Sequence, residues 1–487
     1  MEISKKMNFA RTAVSGTLWT YAAHYSGKLM VFFSTIILAR LLVQEDFGVA
    51  GYALVVINFL DVLNDLGIGL ALIYYQEEAE TTDTAFWLGL AVSFTLLTTC
   101  WLMAPFVGTF FNDDRAIAVT RVLALTFPIS ALGNVHRMLL LKGLAFRRKF
   151  IPDVSKALSK GLLSIGLAAS GFGAWSLIWG QIGGTAIAVI ALWWVLPWRP
   201  TFRFSTRSAR LLLSYGLNIV AVNVVAVLIL NVDYLFIGRS LGAGALGVYT
   251  LAFRIPELLI MQFCNVVTKV IFPVYAKMRN ESKSLRGGFL TATRYISIIT
   301  IPLGVGMALV AEPFVLTFFT EKWLEAIPVM RAISIYALLT SLYYSAGDIY
   351  KAQGRPSVLT KLGILNVIIL LPALWGAISI WDTIVAIAWT QALVTFFMSF
   401  LRLFVASRML DTPFSMVLSA LQPGVLGGAI MSLPVWGILL ISSNAPPLAQ
   451  LVLAVTIGAA TYVATLWWLE SDVVMLPYKT VRSTLNL

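Results

Sequence analysis

An all-α integral membrane protein with about fourteen transmembrane helices is what the sequence predicts, on three observations. The 487-residue chain is 59% hydrophobic and only 12% charged, with mean hydropathy +0.86; soluble proteins carry roughly a quarter charged residues. Apolar stretches of about 20 residues, the length that crosses a bilayer, succeed one another along the chain. A phrase also occurs twice, as RLLVQEDFGV at Arg40–Val49 and as RSLGAGALGV at Arg239–Val248, offset by 199 residues. Leu42 aligns with Leu241, Phe47 with Leu246 and Gly48 with Gly247. Internal repeats in a membrane protein point to related lobes and to a transporter that rocks about their interface.

The expected spans are 17–41, 46–73, 85–111, 116–141, 152–171, 173–197, 211–238, 245–275, 295–319, 328–350, 358–380, 382–407, 415–441 and 447–469. The first follows a polar, basic start (MEISKKMNFARTAVSG) and is too long for a signal-peptide core, so it reads as a retained span. Spans 5 and 6 part at the Gly171–Gly173 turn, and spans 11 and 12 at Trp381–Asp382. Both cysteines, Cys100 and Cys264, fall inside apolar stretches, which excludes a disulfide framework and a metal-ligand spacing.

Alternate connections gather the basic residues: Lys5, Lys6 and Arg11; Lys142, Arg147, Arg148 and Lys149; Arg199, Arg203, Arg207 and Arg210; then Lys277, Arg279, Lys351, Arg355, Arg408, Lys479 and Arg482. The other connections offer little beyond Arg40, Arg115, Arg239 and Lys322. By the positive-inside rule the first set is cytoplasmic, and both termini with it. One cytoplasmic loop, Gln76–Asp83 (QEEAETTD), is acidic, but acidic residues weigh little in that rule. The net charge of +12 is therefore mostly a cytoplasmic rim facing anionic membrane lipids, and nucleic acid is not the expected partner.

Both copies of the phrase join the first two helices of a six-helix set. An even number of spans separates them, so the lobes are expected to be parallel and related by a pseudo-two-fold along the membrane normal. The organisation expected is an N-lobe over 1–197 and a basic cytoplasmic linker over 198–210, followed by a C-lobe over 211–407. A C-terminal hairpin with its tail (408–487) has no counterpart.

The segment LARLLVQEDFGVAGYALVVINFLDVLNDLGIGLALI resembles the opening of polysaccharide-export flippases of the multidrug/oligosaccharidyl-lipid/polysaccharide superfamily, with their Arg-Leu-Leu and acid-Phe-Gly phrase. The exopolysaccharide branch looks most similar. The resemblance is sharpest over residues 38–72 and extends over the chain through span count, two lobes and an extra helix pair. It implies a bacterial inner-membrane transporter that moves a polyprenyl-diphosphate-linked oligosaccharide repeat unit from the inner to the outer leaflet. A polysaccharide polymerase and chain-length machinery are the implied protein partners.

Ionisable groups at membrane depth are costly and are functional candidates. At about 1.5 Å per residue, Lys28 and His24 of span 1 and Asp61 and Asp65 of span 2 lie roughly 20–28 Å below the outer surface. Each pair has i,i+4 spacing, so Lys28 matches Asp61 and His24 matches Asp65 across antiparallel neighbours. Two readings stand: packing ion pairs, or a site whose protonation or ion occupancy changes during transport, with histidine titrating near neutrality. In the second half, Asp233 of span 7 faces Arg254 and Glu257 of span 8, beside a kink expected at Pro256. Arg254 is either half of a structural pair or a bidentate diphosphate ligand. Lys28 and Arg254, the cations least able to snorkel, are the first diphosphate or sugar candidates, and Arg137 and Lys269 are further ones. Lys156 and Lys160, in the first turns of span 5, are also cations on the path of an entering diphosphate, with snorkelling at the rim the weightier reading.

No GxxxxGK[ST] loop is present in the sequence, and no cofactor or metal is expected. That leaves a proton or sodium gradient, or consumption of the sugar chain outside, as the drive. No catalytic constellation is evident. Asn112-Asp113-Asp114-Arg115 is an acidic pair on the outer side with metal-binding or base potential. The rivals are a lipid II flippase, a drug/cation antiporter of the same superfamily, and a membrane glycosyltransferase or polymerase.

Overall fold

The computed structural model describes residues 26–65, 79–143 and 145–470. They form helices throughout, with no strand among the described residues. The first of two compact units, Met1–Gly247, holds α1 (26–41), α2 (Gln44–Asp65), α3 (Ala79–Phe111), α4 (Arg115–Leu123), α5 (Thr126–Lys142), α6 (Phe146–Ala169), α7 (Ala174–Val195) and α8 (Thr206–Ser240). The next helix, α9 (Gly242–Pro256), begins in the first unit and ends in the second, Val248–Leu487. There follow a π-helical turn (Glu257–Met261), α10 (Gln262–Met278), α11 (Ser282–Leu309), α12 (Ala311–Phe318), α13 (Ala326–Leu342), α14 (Tyr344–Ala352), α15 (Pro356–Trp381), α16 (Ile384–Met409), α17 (Phe414–Ile441) and α18 (Pro447–Leu469).

Ten helical stretches are long and apolar enough to cross a membrane among the described residues. The other four expected spans fall on α1, α2, α6 and α8. Large apolar side chains stand outward on the helices, Leu102 72% and Phe106 71% exposed, while Ser297, Ser334, Ser341 and Ser399 are fully buried. This is the inverse of a water-soluble surface and suits lipid as the outer solvent.

Several helices depart from the apolar windows. The stretch Arg115–Lys142 bends at Ala124–Leu125, and Ala326–Ala352 bends at Tyr343; apolar residues run through both breaks and hide them. The acidic segment around Asp83 is the first turn of α3 rather than loop, with Asp83 buried.

In the first unit, α2, α3 and α8 meet where Tyr52 stacks on Phe111 at 4.3 Å, and Gly238 leaves room for both rings. Arg239 donates to the carbonyls of Thr109 and Phe110 and to Asn112, closing the end of α3. Arg115 bridges Asp113 and Glu45, both at 2.9 Å. The Asp113–Asp114 pair thus contributes a structural turn, with Asp113 held by Arg115.

The repeated phrases touch each other within this unit. A Cβ on Gly48 would overlap the carbonyl of Ala243, and a Cβ on Gly247 would overlap the carbonyl of Gln44. Ala243 and Gly247 stand 199 residues after Gln44 and Gly48. The contact is reciprocal, as between two helix starts related by a two-fold, and only glycine permits so close an approach.

In the second unit the core joins Tyr275, Phe289, Leu338, Ile349, Tyr350, Leu403 and Leu421 from six helices. The pair α17–α18 docks on α11: Gly424 lies against the Ser297 carbonyl, Tyr462 donates to the Ile298 carbonyl at 2.6 Å, and Arg294 pairs with Glu470.

Candidate functional site

Helices α2, α5, α6 and α7, with Leu123 at the end of α4, line a cavity of about 310 Å³ in the first unit. Each contributes polar residues at helical spacing. From α2 come Asn58, Asp61 and Asn64, three residues apart; from α5, Ser130, Asn134 and Arg137; from α7, Gln181 and Thr185; from α6, Lys156. Spacings of three and four residues put each set on one helix face, so polar stripes face inward while the remaining faces stay apolar. Leu54, Ile57, Leu123 and Leu192 are among the apolar residues of the lining.

Close helix packing fixes Lys156. On α7, a Cβ at Gly184 would come within 2.9 Å of the Lys156 carbonyl and 2.8 Å of the Lys160 Cβ. The α6–α7 pair therefore packs nearly backbone to backbone. Lys156 interacts electrostatically with Arg137, Asp61 and Asp153. Two cations and one carboxylate line the cavity, so its formal balance is one positive charge.

The amides set the remaining polarity. The Asn64 side-chain NH₂ donates to Ser130 Oγ at 3.1 Å and to Asp61 Oδ1 at 3.4 Å, and that of Asn58 donates to Asn231 Oδ1 at 3.2 Å. The carbonyl oxygens of Asn64 and Gln181 are buried and accept no hydrogen bond from the protein. A buried unpartnered acceptor is costly; here both line a cavity that offers room for a donor. The site therefore presents cations for anionic oxygens, and amide and hydroxyl groups for hydroxyls.

Of the predicted residues, the structure brings Asp61 and Arg137 together in this cavity. Lys28 lies half-buried on α1, which runs beside α6 (Gly27 faces Ala157, and Ser34 faces Gly161), and it does not line the cavity. His24 and the side chain of Asp65 lie outside the described residues. Asp233 is buried on α8 and accepts the Tyr234 N–H at 3.0 Å. In the second unit Arg254 pairs with Glu257 at 3.7 Å, and Gln262 donates to Glu257 at 3.4 Å across the π-helical turn that follows Pro256. Lys269 is exposed on α10.

Ser130, Asn134, Gln181 and Thr185 were not among the sequence's site residues, and Lys156 was weighed more as a snorkelling rim residue than as a ligand. For the neutral ones, a signal existed in polar residues at i, i+4 and i+7 within apolar spans. His136, the second histidine, is structural: it stacks on Trp193 at 4.8 Å and bonds the Trp198 carbonyl at 3.2 Å. Asp348, also missed, is buried and pairs with Lys351 at 3.5 Å.

Residues 37–328 match the family described as polysaccharide biosynthesis protein, and the chain belongs to that family. It is 26% identical over 405 residues to the teichuronic acid biosynthesis protein TuaB of Bacillus subtilis (strain 168), an alignment covering 82% of this chain and 83% of TuaB. It is 25% identical over 327 residues to the succinoglycan biosynthesis transport protein ExoT of Rhizobium meliloti (strain 1021), covering 67% of this chain and 66% of ExoT. Its fold is similar to that of the lipid II flippase MurJ in an inward closed conformation, with TM-score 0.76 at 13% identity over 94% of this chain and all of that one.

Proposed function

We propose that this chain is a transporter, not an enzyme, and that it moves a polyprenyl-diphosphate-linked oligosaccharide repeat unit from the inner to the outer leaflet of a bacterial cytoplasmic membrane for exopolysaccharide synthesis. The observation that carries the reading is the polar, net-cationic cavity set among apolar helices in a member of the polysaccharide biosynthesis family. A lipid-linked glycan has two parts that membrane interiors reject: a diphosphate and a set of hydroxyls. Arg137 and Lys156 meet anionic oxygens, with arginine suited to bidentate contact. The open carbonyls of Asn64 and Gln181 accept from hydroxyls. Asp61 tempers the positive charge, so that binding is reversible.

Transport proceeds in this reading by alternating access of two parallel lobes about a pseudo-two-fold, with both termini cytoplasmic. Asp61, beside Lys156, is the group through which a proton or sodium gradient acts. A polymerase and chain-length machinery take the product. The net-positive lining disfavours a cationic drug. A lipid II flippase is the second reading, supported by the shared fold.

The test is deletion of the gene followed by leaflet-resolved assay of lipid-linked sugars. The reading expects the repeat unit trapped on the inner leaflet while lipid II distribution stays normal. Normal surface polysaccharide in a strain without a second homologue contradicts it, and trapped lipid II favours the second reading.

A further inference from the structure

The linker between α7 and α8 is held by side chains of the first unit, yet with the first turns of α8 it turns four arginines and two phenylalanines outward. Residues 196–205 are irregular, but side chains of α3 clasp them. Asp83 accepts the Thr201 N–H at 3.1 Å and also the Thr201 hydroxyl. Thr84 Oγ1 accepts the Ser205 N–H at 3.0 Å, the Trp87 indole donates to the Thr201 carbonyl at 2.8 Å, and Thr81 bonds Ser208 at 3.3 Å. The acidic start of α3, anomalous by charge patterning, is thereby explained: Asp83 is a clasp for the linker backbone.

What the clasp presents is unusual. Phe202 is 93% exposed although Trp87 stacks on one face of its ring at 4.9 Å, and Phe204 is 53% exposed. Arg199, Arg203, Arg207 and Arg210 are all exposed, with no acidic residue between Leu196 and Arg210. Among the described residues, no hydrogen bond or ion pair engages Arg203, Arg207 or Arg210. The end of α7 beside them carries Trp194, 77% exposed. Because α7 is long and apolar enough to span, its end and the linker lie at the membrane surface. Fixed aromatics with arginines at that level have the composition of an interfacial lipid anchor.

We infer that residues 199–210, the linker with the first turns of α8, form a lipid-binding surface: Phe202 and Phe204 enter the headgroup region of the leaflet, and the four arginines bind anionic lipid headgroups. Pinning the backbone in advance removes the ordering cost of binding. Each arginine near an anionic leaflet is worth about a fivefold preference over a neutral one. The linker thereby ties α3, α7 and α8 to the plane of the membrane surface.

The test uses the full chain in nanodiscs with a spin label at Phe202→Cys and Cys100 and Cys264, both buried, replaced by alanine. In discs of phosphatidylglycerol the label should favour oxygen over a water-soluble nickel chelate as collision partner. The variant R199Q/R203Q/R207Q/R210Q should lose that preference and retain several-fold fewer phosphatidylglycerol molecules on extraction, with its unfolding midpoint unchanged. A label equally open to nickel in anionic and in neutral discs overturns the inference. So does a quadruple variant that keeps its phosphatidylglycerol but loses diphosphate binding in neutral lipid, since the arginines would then serve substrate.

Discussion

The two helices that open with the repeated phrase begin alike and end differently. In α2 the helix runs unbroken over 22 residues and delivers Asn58, Asp61 and Asn64 to the cavity. In α9 it stops at Pro256, and Arg254 in its last turn pairs with Glu257 at the start of the π-helical turn that follows. At the turn both copies keep the glycine that lets them touch. Beyond it, one copy leaves its charge open to a cavity while the other closes its charge into a local pair. A repeat conserves the device that requires symmetry, the close helix approach, and frees the rest of each helix for different work.

The largest expected stability effect lies at the turn itself. Gly48→Val places a side chain into the Ala243 carbonyl and should cost about 3 kcal/mol, the upper range for overpacking, read as a lower denaturation midpoint in detergent. Gly247→Val should cost a similar amount, because the contact is reciprocal. Gly244, two residues from α9's start, has open space around its Cβ position; Gly244→Ala should be neutral or stabilising by up to about 1 kcal/mol. Equal losses at 244 and 247 would remove the symmetry argument.

Next in size is Asp61→Asn. Losing the carboxylate leaves Arg137 and Lys156 unopposed, so binding of polyprenyl diphosphate in nanodiscs should tighten about tenfold, equivalent to roughly 1.4 kcal/mol. Turnover in vesicles should slow and lose its dependence on an imposed proton or sodium gradient. Unchanged affinity and gradient response would place Asp61 outside the site. The smallest effect belongs to the second copy. A double-mutant cycle of Arg254→Gln and Glu257→Gln should give a coupling of only about 0.2–1 kcal/mol, because both side chains are about a third exposed. A much larger coupling would mean that this pair, too, is a working site.

The sequence made the helices legible because apolar length is a one-dimensional property. Breaks within apolar runs were not legible: nothing in the composition around Ala124 or Tyr343 marks a bend. The helix ends erred where polar turns extend past the membrane, as in α11, which begins at Ser282 rather than near 295. Lys156 failed for a different reason. Counted from an apolar window starting at 152 it lies at the rim, but its side chain lines the cavity with Asp61 and Arg137, a neighbourhood that only the packing of four helices creates. Asp61 was singled out because charge at depth is conspicuous, and Arg137 because a cation at the inner end of a span suits an entering diphosphate. Asn134 and Gln181 were not, because a neutral amide carries meaning only once its neighbours across the cavity are known. The acidic segment around Asp83 was set aside as a weak exception to a charge rule, and its partner Thr201 lies more than a hundred residues away.

The central claim is that the first unit's cavity binds the anionic headgroup of the lipid-linked substrate. Flipping of a polyprenyl-diphosphate-linked oligosaccharide by Arg137→Gln/Lys156→Gln protein in sealed vesicles tests it most directly. Each charged hydrogen bond is worth about 1.5–3 kcal/mol, so the account predicts a loss of about a hundredfold or more, at an unchanged unfolding midpoint, while Arg254→Gln stays within about threefold of wild type. Wild-type flipping by the double variant would contradict it.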